Sequence, residues 1–352
     1  MRSTLVVTLL VLTLGLSVAV AWGQISPTLT VGTTARYSGM GEAGLALAND
    51  AGALDLNPAG LALQSTPYLA PGSGAPAWGG PSPSGPALMT AQPGPGQSGM
   101  AGQVMASDEL GSNLHYDAFH YAGFSQGQPF GWGAAYRHAS YGGNDYSDWV
   151  IGGAWRAPSD RLSFGAAYSH VDLSYATTFG AINSDADLAG GSSTSRDIFN
   201  GGLIYLEPVG WTSVPVRWGA VLDVGTHFEP IWSAGVAVPV NNRGGLVADW
   251  VDVFNQYDSV LNLGAEYWLG DRYNWAVRLG LADIGGNSHG GAVALDGVAA
   301  TDPSSSTVSS VGGNRWTAGA SYLLQAWQFD LSWEQAKSPV DASLKLSASL
   351  GF

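Results

Sequence analysis

The chain has 352 residues, a formal net charge of −14, no cysteine, only 11% charged residues and 50 glycines. That balance excludes a disulfide framework and disfavours a nucleic-acid partner, since a polyanion would meet excess negative charge. A charge fraction this far below the roughly 25% of ordinary soluble domains, with 11% aromatics, argues against a soluble globule as well.

Met1-Arg2 leads into the apolar run Leu5 to Val20 and the small-residue pattern Ala19-Val20-Ala21. A positive start, an apolar core of about 16 residues and a small-residue exit describe a secretory signal peptide, shorter than the roughly 20 residues a spanning helix requires. Residues 1–21 are therefore expected to be a cleaved signal. Loss of Arg2 would leave 12 basic and 27 acidic residues, a charge of −15. No later stretch has the unbroken apolar length of a membrane helix, so a chain of this composition in lipid must satisfy its backbone by closing a sheet.

Residues 22–64 form the next expected unit. Arg36 to Leu63 reads RYSGMGEAGLALANDAGALDLNPAGLAL, small, Gly/Ala-rich and helix-compatible. Gly39, Gly41, Ala43, Gly44, Ala46 and Ala48 would let this backbone approach a wall closely. Pro58 holds Asn57 extended and would end a preceding helix. With its Asn57-Pro58-Ala59-Gly60 run, this segment resembles the N-terminal motif of FadL-type outer-membrane transporters for hydrophobic compounds, and equally that of PorV-like barrels. The resemblance implies a barrel of about 14 strands and a plug in its lumen, with Asn57, Pro58, Ala59 and Gly60 as the plug or gate.

Residues 65–98 carry Pro67, Pro71, Pro76, Pro81, Pro83, Pro86, Pro93 and Pro95. Prolines cannot donate to a ladder, so a linker or an irregular lumen lining is expected there.

From residue 99 to 352 about 14 segments have the length of tilted membrane strands, which predicts an all-β transmembrane antiparallel barrel. Trp327, Phe329, Leu331 and Trp333 alternate with Gln328, Asp330, Ser332 and Glu334; Leu261, Leu263, Ala265, Tyr267 and Leu269 alternate with Asn262, Gly264 and Glu266. Period-2 alternation sets an apolar face against lipid and a polar face in the lumen. Arg161 to Thr177 and Leu246 to Phe254 alternate less cleanly and suggest bulges. Short connections at Gln126 to Pro129, Pro158 to Arg161, Asn241 to Gly244, Gly270 to Tyr273 and Leu324 to Ala326, with Glu207 to Pro215 longer, are expected on the periplasmic side. Ala139 to Ser147, Thr177 to Ser195 and Ala282 to Gly313 are expected to be long outer loops. Trp132, Trp149, Trp155, Trp218, Trp232, Trp268 and Trp316 fall near strand ends, where interfacial girdles belong. The terminal Phe352, in register with Leu344, Leu346, Ala348 and Leu350, resembles the insertion signal read by the bacterial barrel-assembly machinery.

Lumen charges of both signs are expected at Arg137, Arg217, Asp223, Asp249, Glu266, Arg278, Asp330, Glu334 and Lys345. Buried charge persists only when paired or wet, so these should pair with one another and with the plug, or rearrange as a gate. Asp108, Glu109, Asp145, Asp148, Asp185, Asp187, Asp283, Asp296 and Asp302 are assigned to outer loops. No catalytic constellation stands out: Ser169 and His170 are adjacent in a strand and face opposite ways. His115, His120, His138, His170, His227 and His289 lack metal-ligand spacing, so neither metal nor cofactor is expected.

The resemblance implies a bacterial outer-membrane channel for passive uptake of hydrophobic small molecules such as long-chain fatty acids, in contact with outer-membrane lipids. The PorV-like alternative is a barrel that shuttles or anchors secreted proteins at the cell surface.

Overall fold

In the computed structural model the described residues are 34–63, 100–110, 114–125, 128–141, 144–174, 193–211, 214–225, 228–241, 243–254, 259–269, 274–284, 314–324, 327–335 and 342–351. The expected signal peptide, the proline-rich residues 65–98, Phe352, His227, His289, Asp185, Asp187, Asp296 and Asp302 lie outside them.

Fourteen strands form the wall: β1 (Met100–Leu110), β2 (Leu114–Ser125), β3 (Phe130–Tyr141), β4 (Asn144–Arg156), β5 (Leu162–Ser174), β6 (Ser193–Glu207), β7 (Val216–Gly225), β8 (Phe228–Asn241), β9 (Gly244–Val251), β10 (Val260–Leu269), β11 (Trp275–Ile284), β12 (Arg315–Leu324), β13 (Trp327–Glu334) and β14 (Ser343–Gly351). Each pairs antiparallel with its neighbour in sequence, and β1 pairs with β14 from Gln103↔Gly351 to Leu110↔Leu344, closing the barrel. Closure leaves no unpaired edge, which is the condition for a sheet to cross lipid.

Alternation decides the two faces. In β13 the side chains of Trp327, Phe329, Leu331 and Trp333 are exposed while Gln328, Asp330, Ser332 and Glu334 are buried. Outward residues as apolar as Ile151 (61% exposed) and Leu279 (65%) would be unstable against water and are natural against acyl chains. Aromatic rings meet across strands, with Trp275 and Tyr322 at 4.4 Å and Trp155 and Phe164 at 6.3 Å near one rim, and Tyr136 and Trp149 at 4.5 Å and Tyr168 and Phe199 at 5.2 Å nearer mid-strand. The first set fits an interfacial girdle, whereas Trp268, expected in one, is buried; the closed wall with its apolar exterior is that of an outer-membrane barrel.

Several expectations need correction. The loop expected from Ala139 to Ser147 is a two-residue connection, because Ser140 pairs with Asp145 and Tyr141 with Asn144, extending both strands. Bulges are absent from β5, which keeps continuous register with both neighbours; they occur at Asp223/Gly225, Pro239/Asn241 and Leu261/Leu263. Pro239 has no amide hydrogen to offer its partner, which accounts for one of the three. The acidic residues assigned to outer loops at Asp108, Glu109, Asp145, Asp148 and Asp283 lie in strands β1, β4 and β11. Asp148 and Asp283 face inward, each against an arginine.

Residues 34–63, the segment expected to form the plug, lie against the inner face of the wall. This plug segment holds only two four-residue helices, α1 (Ala35–Ser38) and α2 (Ala53–Leu56), and a 3-10 segment, Pro58–Leu63, with turns between them. The helix-compatible composition thus yields far less helix than its length suggested. Repeated glycines lower helix propensity, and the close packing they permit rewards turns instead. Asn57, at φ −158° and ψ 103°, is extended before Pro58 and ends α2.

Candidate functional site: the plug and its seat

Among the described residues 34–63, only Glu42, Asp55 and Leu56 are not fully buried. Glycines on the lumen face of the wall make that possible. Gly219 lies under Leu45–Ala46, Gly264 under Met40, Gly280 under Met40–Gly41 and Gly319 under Gly39 on one side; Gly165 lies under Pro58–Ala59 and Gly202 under Asn57–Pro58 on the other. A Cβ at any of these positions would press into plug backbone or side chain, so the wall is shaped for close backbone approach.

Polar side chains then fix the seat. Arg36 in α1 donates to Glu266 on β10 from Nε and Nη2, both at 3.1 Å, and to Asn49 and Asp50 of the plug itself, both at 2.9 Å. Glu266 also accepts from Arg278 at 2.8 Å, and Arg278 donates to Asp330 at 3.1 Å. The ionic chain Asp50, Arg36, Glu266, Arg278, Asp330 alternates in sign and is almost wholly out of water, so each charge is compensated by its neighbours.

Asp249 on β9 accepts from the amides of Gly44 at 2.6 Å and Leu45 at 2.8 Å; Arg217 on β7 donates to the Leu47 carbonyl at 3.0 Å. Thr317 on β12 accepts the Gly41 amide at 2.8 Å. Arg315 on β12 gathers Glu42 at 3.4 Å, Asp283 at 2.7 Å and Glu334, and Lys345 lies 4.0 Å from Glu334. Glu42 and Asp283 both hold left-handed backbone, at φ 63° and 59°, a conformation that costs a non-glycine residue energy and is retained here where both carboxylates meet one guanidinium.

A second group holds the other half of the plug. Asp55 in α2 bonds His120 at 2.7 Å and Arg137 at 3.2 Å, and Arg137 also pairs with Asp148. Asn57 donates from Nδ2 to the carbonyls of Leu45 and Leu203, at 3.1 and 3.2 Å, and accepts the Ala59 amide at 3.1 Å. Ser163 on β5 donates to the Ala59 carbonyl at 2.6 Å.

Of the lumen residues named from sequence, Glu266, Asp249, Arg217 and Arg137 touch the plug directly. Through the bonds given above, Arg278 and Glu334 lie one contact further out, and Asp330 and Lys345 one beyond those. Asp223 stands apart, accepting from Asn200 at 2.7 Å. Arg36, Glu42, Asp55, Arg315 and Thr317 escaped the sequence reading, which has Asp148 and Asp283 as loop acids and His120 only as a histidine without metal-ligand spacing. Arg36 carried a usable signal: it is the one cation between Thr34 and Leu63, and such a charge inside a barrel requires a counter-charge on the wall.

The longer turn between β6 and β7 reaches the same site. Val214 is buried with Tyr37, Met40, Ala43, Ala46 and Leu47 of the plug, while Trp211, 64% exposed, donates its indole N–H to the Pro239 carbonyl at 3.1 Å. The turn therefore lies against the plug.

No protein-family model matches the chain, and no curated protein sequence matches it. Solved structures do. The CymD monoaromatic hydrocarbon channel aligns with a TM-score of 0.51 at 16% identity, over 91% of this chain and 97% of that one. The Pseudomonas putida toluene transporter TodX aligns at a TM-score of 0.46 and 11% identity, over 95% and 99%. A mutant of Rh. blastica porin aligns at 0.36 and 12%, over 73% and 100%. The likeness to CymD is one of fold, and it agrees with the barrel type read from the Asn57-Pro58 segment.

Proposed function

We propose that this protein is a passive outer-membrane channel for hydrophobic small molecules, long-chain fatty acids among them, gated by the plug of residues 34–63. One observation carries the reading: the barrel closes entirely by pairing of its own strands, and no plug residue belongs to the ladder. The plug is held by side-chain bonds and close packing, so it has a route to displacement that leaves the sheet intact. CymD, a monoaromatic hydrocarbon channel of similar fold, is in keeping with a lipophilic cargo. Asn57, Pro58, Ala59 and Gly60 are the gate segment in this reading, and Glu266, Arg278, Asp249, Arg217 and Arg137 its wall-side latches. Diffusion down a gradient drives transport, and no bound nucleotide or redox group takes part.

The test is flux of a labelled fatty acid into vesicles with lipopolysaccharide in the outer leaflet, comparing the full chain with a variant lacking residues 34–63. Faster flux in folded variant barrels supports the gate; unchanged flux for every lipophile tried rules it out. The near-complete burial of the plug gives the surface-shuttle reading its own support, because a barrel that anchors secreted proteins need never open. A stoichiometric protein partner recovered from the native membrane, with no lipophile bound, would favour it.

A further inference from the structure

Two separate apolar cores hold the plug. One joins Ala48, Ala53, Leu54 and Leu61 to β2 through β6; the other joins Tyr37, Met40, Ala46 and Leu47 to β8, β9 and the β6–β7 turn. Leu56 packs against both, and no other partly buried residue among those described does. It is also the one apolar side chain of residues 34–63 that is left partly open; Leu47, Leu54 and Leu61 are all within 3% of complete burial. A residue that joins two cores and yet remains reachable is a point where a small displacement is felt by both.

Its surroundings give its height in the barrel and the chemistry of what arrives. Asp55, beside it, bonds His120 and Arg137, and these lie near the middle of β2 and β3. This end of α2 accordingly sits near mid-height of the wall, within the path of a solute that crosses the lumen. The nearby cations, His120 and Arg137, are already engaged by Asp55. A neutral solute needs no counter-charge here, whereas an anion would meet the Asp55 carboxylate.

We propose that Leu56 is the contact through which an incoming neutral lipophile engages the plug, and that its displacement uncouples the two cores and lets one half of the plug move. This rests on the channel reading and adds to it where the cargo first acts.

Because the chain has no cysteine, Leu56→Cys introduces a unique thiol. The full-length variant is placed in lipopolysaccharide-bearing vesicles and its modification by N-ethylmaleimide is timed with and without naphthalene, beside Leu47→Cys as a fully buried control. The expected result is labelling several-fold faster at the Leu56→Cys thiol than at the control, slowed several-fold by naphthalene and little by decanoate. Equal labelling at both thiols, no protection by naphthalene, or equal protection by decanoate overturns the proposal. A second pair reads the same contact through transport: Leu56→Gln should raise the naphthalene concentration for half-maximal uptake several-fold, and Leu56→Met should restore it. Unchanged uptake in Leu56→Gln overturns the role of Leu56 while leaving the channel intact. Uptake of fatty acid but not naphthalene by the unaltered protein overturns the proposal and leaves the channel, whereas uptake of neither removes the channel reading itself.

Discussion

Arg36 of the plug and Glu266 of β10 meet through two parallel hydrogen bonds of 3.1 Å, and Glu266 is taken a third time by Arg278 at 2.8 Å. One carboxylate thus stands between two guanidiniums, one on the plug and one on the wall. Glu266→Gln keeps the shape and removes the charge, leaving Arg36 and Arg278 to face one another. Breaking a buried pair from one side costs roughly 3–5 kcal/mol. The loss should fall on the plug rather than on the sheet, so the barrel should keep its heat resistance on gels while a thiol introduced by Ala43→Cys becomes reactive. A thiol that stays closed would show that this network does not hold the plug.

Adjacent wall positions should behave oppositely. A Cβ at Gly202 would meet Asn57, Pro58 and Ala59, the last two at 3.0 and 3.1 Å, while one at Gly201 has nothing nearer than the Leu222 carbonyl at 3.9 Å. Strand alternation points the first inward and the second to lipid. Gly202→Val should unseat the 3-10 segment and raise the basal conductance of the barrel in planar bilayers; Gly201→Val should leave it unchanged. Equal conductance in the two variants would mean that the plug does not depend on this approach.

Asn57 makes three hydrogen bonds from a fully buried side chain, donating to Leu45 and Leu203 and accepting from Ala59. Asn57→Ala leaves those backbone groups unpaired at about 1–3 kcal/mol each where water stays out. Asn57→Asp should be worse, because a carboxylate faces the Leu45 and Leu203 carbonyls as a second acceptor and brings an uncompensated charge. The expected order of plug release, read as protease cleavage within residues 34–63, is Asn57→Asp, then Asn57→Ala, then the unaltered chain. Equal cleavage of all three would place the hold on the plug elsewhere.

The wall was legible because alternation is a local code. Trp327 to Glu334 gives its inner and outer faces by reading every second residue, and the structure follows it without exception. Strand ends were less legible, since pairing partners decide them: nothing within Ala139 to Ser147 announces that Ser140 will pair with Asp145. The lumen charges were legible as a set, but which of them meets which plug residue was not. Arg36 and Glu266 are 230 residues apart, and only closure of the barrel brings them together. Asp148 and Asp283 were misplaced because acid near a strand end resembles a solvated loop until an inward arginine is seen beside it.

The β6–β7 turn allows the two halves of the plug to be separated experimentally. Val214, 3% exposed, packs with Tyr37, Met40 and Leu47, whereas Leu61 belongs to the other core. Val214→Asp buries a carboxylate among apolar side chains, and an unpaired charge there is strongly unfavourable. It should therefore loosen the half of the plug that contains Leu47 first. Trp211→Phe removes only the bond to Pro239, worth about 1 kcal/mol, and keeps an aromatic ring at the same exposed position. In the Val214→Asp background the thiol of Leu47→Cys should become reactive while that of Leu61→Cys stays closed; in the Trp211→Phe background both should stay closed. Simultaneous opening of both thiols in Val214→Asp would mean that the plug moves as one body, and that Leu56 transmits rather than uncouples.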